Sequence, residues 1–313
     1  MKEKKDLRIV FMGTPEFAVT SLKALIDNHF NVVAVITAPD KQAGRGMKLT
    51  ESAVKKYATS INLKILQPQK LKDQAFLNEL QNLKADIQIV VAFRMLPELV
   101  WNMPTMGTLN VHGSLLPQYR GAAPINWAII NGEKITGVTT FKLQHEIDTG
   151  NILLQKSMQL TDTMNADEVH NELMHLGAEV LIETINGLLN KTIKEQPQEN
   201  LLQESEIKHA PKIFTETCLI HWENNCDNIY NLIRGLSPYP AAFTILNNNK
   251  LKIFSVEKEI IQHNEEKGSF TTDKKTFLKF ACSDGFIHCK EIQLEGKKKM
   301  LIEDFLRGYR FNN

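Results

Sequence analysis

Residues 7–37, LRIVFMGTPEFAVTSLKALIDNHFNVVAVIT, decide the fold. Leu7–Met12 is an apolar run of strand length, closed by Gly13-Thr14-Pro15. Phe17, Leu22, Leu25 and Ile26 then recur at helical spacing, and Asn31–Thr37 supplies a second apolar run. Strand, turn, helix and strand form a βαβ unit. Parallel strands are covered on both faces, so they read as continuous apolar runs, which is the pattern here. The topology is of the nucleotide-binding style, but Gly13 stands alone where a GxGxxG turn needs three glycines, so a dinucleotide role is set aside.

Working outward, Leu63–Leu66 reads as a short strand, Phe76, Leu77, Leu80 and Leu83 mark a helix, and Ile87–Phe93 is a buried strand. Residues 137–143 and 151–156 read as strands either side of a polar hairpin. A long helix from Ala166 to about Leu189 is announced by Asn165 with Glu168 three positions on, the spacing of a capping box. Residues 1–190 are therefore expected to be one α/β domain. Residues 191–210 (KTIKEQPQENLLQESEIKHA) are polar, without periodicity, and read as a linker. Residues 211–313 change character, with a helix at Cys226–Leu236, short strand-like runs between turns, and a terminal helix from Leu301. That pattern predicts a small barrel.

The composition is neutral about partners. The 313 residues are 42% hydrophobic, enough for sizeable cores, and 37 basic residues face 36 acidic ones, so no global field recruits nucleic acid or membrane. No run of eighteen apolar residues and no secretory leader pattern occurs, so no membrane association is expected and a cytoplasmic location follows by default. Cys218, Cys226, Cys282 and Cys289 match neither a zinc knuckle nor a redox pair, which predicts reduced, partly buried thiols and no metal.

The chemistry gathers in residues 110–124, NVHGSLLPQYRGAAP. Leu109 and Val111 alternate with Asn110 and His112, so on a strand both polar side chains point the same way. Gly113 breaks that strand, and Pro124 suits the first turn of a helix. Asp148-Thr149-Gly150 is a tight turn between two later strands. Singly, each has an ordinary structural explanation: a strand-end histidine is hydrogen-bonded, an asparagine satisfies loop backbone, and Asp-Thr-Gly turns the chain. Together they supply what acyl transfer needs. An amine attacking a carbonyl carbon creates an oxyanion, and Asn110 and His112 are donors for it. Asp148, hydrogen-bonded to the other imidazole nitrogen, would fix the tautomer and let His112 move a proton. Ser114 has no GxSxG elbow, so a hydrolase triad fits poorly. The glycine-punctuated loop at residues 38–48, with Lys41, Arg45 and Lys48, is either a solvated loop or a phosphate-contacting arm.

Asn110-Val111-His112, Ser114–Pro117, Arg120–Pro124 and Asp148-Thr149-Gly150 together resemble the 10-formyltetrahydrofolate-dependent formyltransferases. The resemblance implies a Rossmann-like, mostly parallel catalytic domain with Asn110, His112 and Asp148 as the catalytic set. It also implies Ser114, Leu115, Leu116 and Pro117 as the folate-binding turn. Residues 11–17 (FMGTPEF), Pro39–Gly46, Ala210–Ile213, His221-Trp222 and Ile233–Pro238 are similar to the branch that formylates methionine on initiator tRNA. For that branch the formyl donor is 10-formyltetrahydrofolate and the partner is initiator Met-tRNA. Arg45 and Lys48 lie near its acceptor end, an OB-like barrel at 211–313 helps hold it, and the protein is expected to be a monomer. Two positions depart from the pattern: Asn151 stands where many relatives place an Asp, and Phe93-Arg94-Met95 replaces a more usual Tyr-Gly pair. Past residue 210 the chain has 15 Lys or Arg against 13 Asp or Glu, so the tRNA role rests on resemblance rather than charge.

Overall fold

In the computed structural model of the chain, residues 3–43, 48–201 and 207–310 are described, the side chains of Ala43 and Lys48 excepted. The opening apolar run becomes β1 (Arg8–Gly13), in which every residue after Arg8 is buried. Helix α1 (Glu16–Asp27) buries Phe17, Ala18, Leu22 and Leu25, and β2 (Asn31–Ile36) returns parallel to β1 with Phe11 opposite Val35. The basic loop contains two three-residue strands, β3 (Lys41–Ala43) and β4 (Lys48–Thr50), paired antiparallel with Gln42 opposite Leu49. Three residues are too few to display a period of two, so sequence showed only a loop. Ser52 then caps α2 (Ala53–Ser60), its hydroxyl accepting the Lys55 N–H at 3.0 Å.

The chain continues through β5 (Ile65–Leu66), α3 (Gln74–Asn82), β6 (Ile87–Val91), α4 (Glu98–Trp101), β7 (Thr108–His112), β8 (Arg120–Gly121), α5 (Pro124–Ile130), β9 (Ile135–Lys142), β10 (Ile152–Gln159) and α6 (Ala166–Leu189). The capping box before α6 forms as expected. Asn165 Oδ1 accepts from Asp167 and Glu168 N–H, and Glu168 reaches back to Asn165 N–H at 2.8 Å.

Seven strands make one sheet in the order β10-β9-β7-β6-β1-β2-β5. From β7 to β5 the neighbours are parallel, while β9 runs antiparallel to β7. This is the mostly parallel, Rossmann-like sheet. The chain order reverses at β1, and ligands of such sheets gather at the carboxyl ends of the strands beside that switch. A cleft lies there, lined among others by Thr14, Asp40, Gln69, Phe93 and Arg94.

The chain forms two compact units. The first comprises Met1–Gly121, Gly137–Met158 and His170–His209; the second comprises Ala122–Thr136, Gln159–Val169 and Ala210–Asn313. After β11 (His209–Ala210), the second unit continues with α7 (Cys226–Leu236), β12 (Ala242–Leu246), β13 (Asn249–Ile260), β14 (Phe270–Thr272), β15 (Leu278–Ala281), β16 (Gly285–Leu294), β17 (Met300–Leu301) and α8 (Ile302–Gly308). The sheet order is β12-β13-β16-β15-β14, with β17 on β16. Register shifts around Ser255 bend the long β13–β16 pair, and the result is a curled antiparallel sheet around a core that includes Ile229, Ile233, Leu236, Ile253, Ile287 and Ile292. Strand β13 extends beyond the apolar run 251–256 because its charged continuation still pairs, Glu257 opposite His288 and Lys258 opposite Ile287. Arg234 is buried there and donates to the carbonyls of Thr161 at 3.3 Å and Met164 at 2.9 Å, while Asn126 Nδ2 donates to Gly235 O at 2.7 Å. These bonds tie residues 122–136 and 159–169 into the second unit.

All four cysteines are free and buried. Cys226 and Cys282 place their sulfurs 3.2 Å apart near Asp284, whose carboxylate accepts the Cys226 N–H at 2.7 Å. Cys282 directs its thiol at the Gly285 carbonyl, 3.3 Å away. Burial pushes the Cys226 thiol far up and the Cys289 thiol up to about 12, so both are protonated at neutral pH. Ellman's reagent at pH 8 should therefore find no fast-reacting thiol in the native protein and four after denaturation. A native thiol reacting at the free-cysteine rate would show that the buried set is open to solvent.

Candidate active site

The site is built at the carboxyl end of β7. Its period of two buries Leu109 and Val111 on one face and sends Asn110 and His112 to the other. Antiparallel pairing sets Phe141 opposite Asn110 and Thr139 opposite His112. The His112 ring is 7% exposed and meets the fully buried Phe141 ring edge to face, with centroids 6.4 Å apart. Phe141 also joins Leu116 and Ile152 in one apolar cluster, which is the floor of the site.

The imidazole is held by backbone. His112 Nε2 lies 3.0 Å from the Tyr119 carbonyl oxygen, which can only accept, so Nε2 carries a proton. Tyr119 has φ +61°, a left-handed conformation that costs a non-glycine residue about 1–2 kcal/mol and rotates its peptide plane. Its own N–H donates to Lys208 O at 2.6 Å, and Lys208 N–H donates to Gln118 Oε1 at 2.8 Å. Both bonds brace this segment.

Asp148 lies across from the remaining nitrogen. Its Oδ2 is 3.9 Å from His112 Nδ1, beyond hydrogen-bond range, and instead accepts the Gly121 N–H at 3.0 Å. The expected Asp148–His112 hydrogen bond is thus replaced by a close approach, and the tautomer is set by Tyr119. Asp148 is itself at φ +55°. The turn after it is tight, since a Cβ on Gly150 would fall 1.7 Å from Lys142 O.

The segment 114–117 is braced from within. Ser114 Oγ donates to Gln118 O at 2.7 Å, Thr139 Oγ1 donates to Ser114 O at 2.7 Å and accepts Leu116 N–H at 3.0 Å, and Gln155 Nε2 donates to Leu116 O at 2.8 Å. Ser114, Leu116 and Pro117 are buried and Leu115 is half-buried. Leu115 is therefore the side chain of this turn with surface to offer a ligand.

Of the two departures, Asn151 donates to Glu195 Oε2 at 3.1 Å, where an aspartate would face a like charge. The Lys142 ammonium and the Asn151 amide hold the Glu195 carboxyl below its usual range. Arg94 sits over the Phe93 ring, 5.7 Å from its centroid, and donates to Gln69 O at 3.1 Å, so both residues shape the cleft wall. On its other side the Lys55 ammonium holds Asp40 low. Arg45 lies outside the described residues, and only the backbone of Lys48, in β4, is described.

Sequence reading missed two contributors. Tyr119 acts through a carbonyl, which no side-chain pattern reveals. Gln198, in the stretch expected to be a linker, is 2% exposed beside the Asp148 turn. Its only sequence signal is Pro197, which marks a bend in an otherwise featureless polar run.

The family model described as formyl transferase matches residues 7–185, and that described as formyl transferase, C-terminal domain, matches residues 212–310. Methionyl-tRNA formyltransferase of Phocaeicola vulgatus is 57% identical to this chain, and that of Parabacteroides distasonis 55%, each alignment covering 98% of this chain and 97% of the relative. Among solved structures, the sugar 3N-formyl transferase WlaRD superposes with a TM-score of 0.69 at 22% identity, over 93% of this chain and 99% of its own, a likeness of fold. With both domains matched and more than half of all positions shared along nearly the whole length, the chain belongs to the methionyl-tRNA formyltransferase family.

Proposed function

We propose that the chain transfers the formyl group of 10-formyltetrahydrofolate to the α-amino group of methionine on initiator tRNA, with Asn110, His112 and Asp148 as its catalytic residues. The observation that carries the residue assignment is the state of His112: Nε2 is committed to Tyr119 O, which leaves Nδ1 as the working nitrogen, facing Asp148.

The chemistry follows from that geometry. The amine attacks the formyl carbon, and charge develops on the formyl oxygen. Asn110 Nδ2 donates to it, and His112 Nδ1 does so once it has taken the proton of the attacking amine; preorganised donors of this kind are each worth about 3–4 kcal/mol. The proton that the amine loses equals the one that the folate N10 gains, so the site needs a carrier and no net acid or base. Nδ1 and the Asp148 carboxylate, 3.9 Å apart, are the two stations for it. The buried floor of Phe141, Leu116 and Ile152 excludes water that would otherwise compete for the formyl carbon. In the folate-binding turn, Leu115 meets the ligand, while Ser114, Leu116 and Pro117 hold the shape.

Arg45 and Lys48 act as a phosphate-contacting arm for the acceptor end of the tRNA, and residues 211–313 hold the rest of it. Many lysines of this region are already paired with carboxylates, as Lys279 with Glu259, Lys290 with Glu257 and Lys299 with Glu291, so its field is weak. One chain supplies all three catalytic side chains, so a monomer is sufficient for the reaction. Because its acceptor is a tRNA, it works in the cytoplasm. Among the described residues no helix is long and apolar enough to cross a membrane.

Formation of formyl-Met-tRNA tests the catalytic set. Asn110→Ala, His112→Ala and Asp148→Asn should each lower kcat by roughly 10²–10³-fold in folded protein; any one of them retaining wild-type kcat removes that residue from the set. The arm predicts a different signature: Arg45→Ala raises KM for Met-tRNA, leaves KM for the folate unchanged, and flattens the salt dependence of tRNA binding by about one unit of slope. An unchanged tRNA KM and slope would exclude it.

A further inference from the structure

Gln198 is a glutamine whose whole hydrogen-bonding capacity is consumed beside the reacting groups. Its Nε2 donates to Asp148 O and to Gly150 O, both at 2.8 Å, and its Oε1 accepts from Arg120 Nε at 3.0 Å and Nη2 at 2.7 Å. Two donors and two acceptors are all that a primary amide possesses. The partners also settle which end is which, because carbonyls face one end and a guanidinium the other. The neighbouring backbone is fastened to the same element, with Gln196 and Ile152 exchanging both N–H···O bonds at 2.8 Å.

The two carbonyls that Gln198 grips flank the turn from which the Asp148 carboxylate projects. Asp148 holds a left-handed φ there, and such a residue persists only where its surroundings over-determine it. Arg120 occupies the neighbouring strand position to Gly121, whose N–H binds Asp148 Oδ2. The amide therefore joins the two backbone segments that decide where that carboxylate oxygen lies relative to His112 Nδ1. We propose that Gln198 is a positioning residue for formyl transfer: by clamping the Asp148–Gly150 turn to Arg120 it sets the separation of Asp148 and His112. This rests on Asp148 being catalytic. Gln198 itself touches no reacting atom, and no other side chain of its length offers both two donors and two acceptors.

Steady-state kinetics on the full-length enzyme with both substrates varied, alongside thermal unfolding, test the proposal. Gln198→Ala should lower kcat by about 10–100-fold, as expected when a catalytic group is displaced by a fraction of an ångström to one ångström, with both KM values within about threefold of wild type. The isosteric Gln198→Glu guards against loss of folding, since its carboxylate keeps Arg120 as partner and reverses only the end that faces the two carbonyls. It should show the same drop in kcat while still unfolding in one cooperative transition above the assay temperature. Wild-type kcat in folded Gln198→Glu, or a loss confined to KM, would overturn the proposal. Asp148→Asn separates the two levels. If it is inactive while the Gln198 variants are fully active, positioning fails and the catalytic assignment stands; if Asp148→Asn is fully active, the assignment fails first. Adding Gln198→Glu to Asp148→Asn should cause no further loss of kcat, because the turn then has no carboxylate to aim, and additive losses would contradict the clamp.

Discussion

One hydrogen bond, from His112 Nε2 to the carbonyl oxygen of Tyr119, fixes what the site can do. A carbonyl oxygen has no proton to give, so the imidazole must donate at Nε2, and its second nitrogen is left for chemistry. Were the carbonyl turned away, either tautomer would be available and neither orientation enforced. The left-handed backbone at Tyr119 is what turns it inward, and the Lys208 carbonyl, bonded to Tyr119 N–H, helps to hold that conformation. Local strain of about 1–2 kcal/mol is accepted at one residue for a single defined state of another.

The rest of the site is arranged to keep that state rigid. Thr139 and Gln155, from the two strands beyond β7, engage the Ser114 carbonyl and both polar backbone groups of Leu116, which restrains the segment between His112 and Tyr119. Phe141 packs the imidazole from below. Asp148 is approached from the other side, its carboxylate drawn to Gly121 N–H rather than to the ring. Its 3.9 Å separation from Nδ1 leaves that nitrogen uncommitted, which a direct hydrogen bond would not. Catalytic hydrogen bonds are often long before substrate binds, and here the geometry gives a reason for it.

Much of this was legible in residue order because it depends on regular periods. The parallel sheet showed in the apolar runs of β1, β2 and β6, and the shared direction of Asn110 and His112 followed from alternation along β7. The Asn165 cap and the Asp148 turn were equally visible, since their geometry is written in local chemistry. What stayed hidden acts over long separations or through backbone. Tyr119 contributes a carbonyl, which any residue carries. Gln198 is 50 positions from the turn it grips and sits in a polar run, where a buried side chain has no pattern to betray it. Residues 257–260 extend β13 although their charges look like loop, because pairing to β16 outweighs side-chain preference. The sequence separation likewise concealed that residues 122–136 and 159–169 pack with the second unit through Arg234 and Asn126.

Nitrogen chemical shifts of His112 give the most direct test of the central interaction. In isotope-labelled protein, with the signal assigned through a His112→Gln variant, a neutral ring should show its proton on Nε2 and a bare Nδ1, and the Nε2 proton should exchange slowly because it is buried against Tyr119 O. A neutral ring protonated at Nδ1, or one averaging rapidly between the two tautomers, would contradict the assignment of Nδ1 as the working nitrogen.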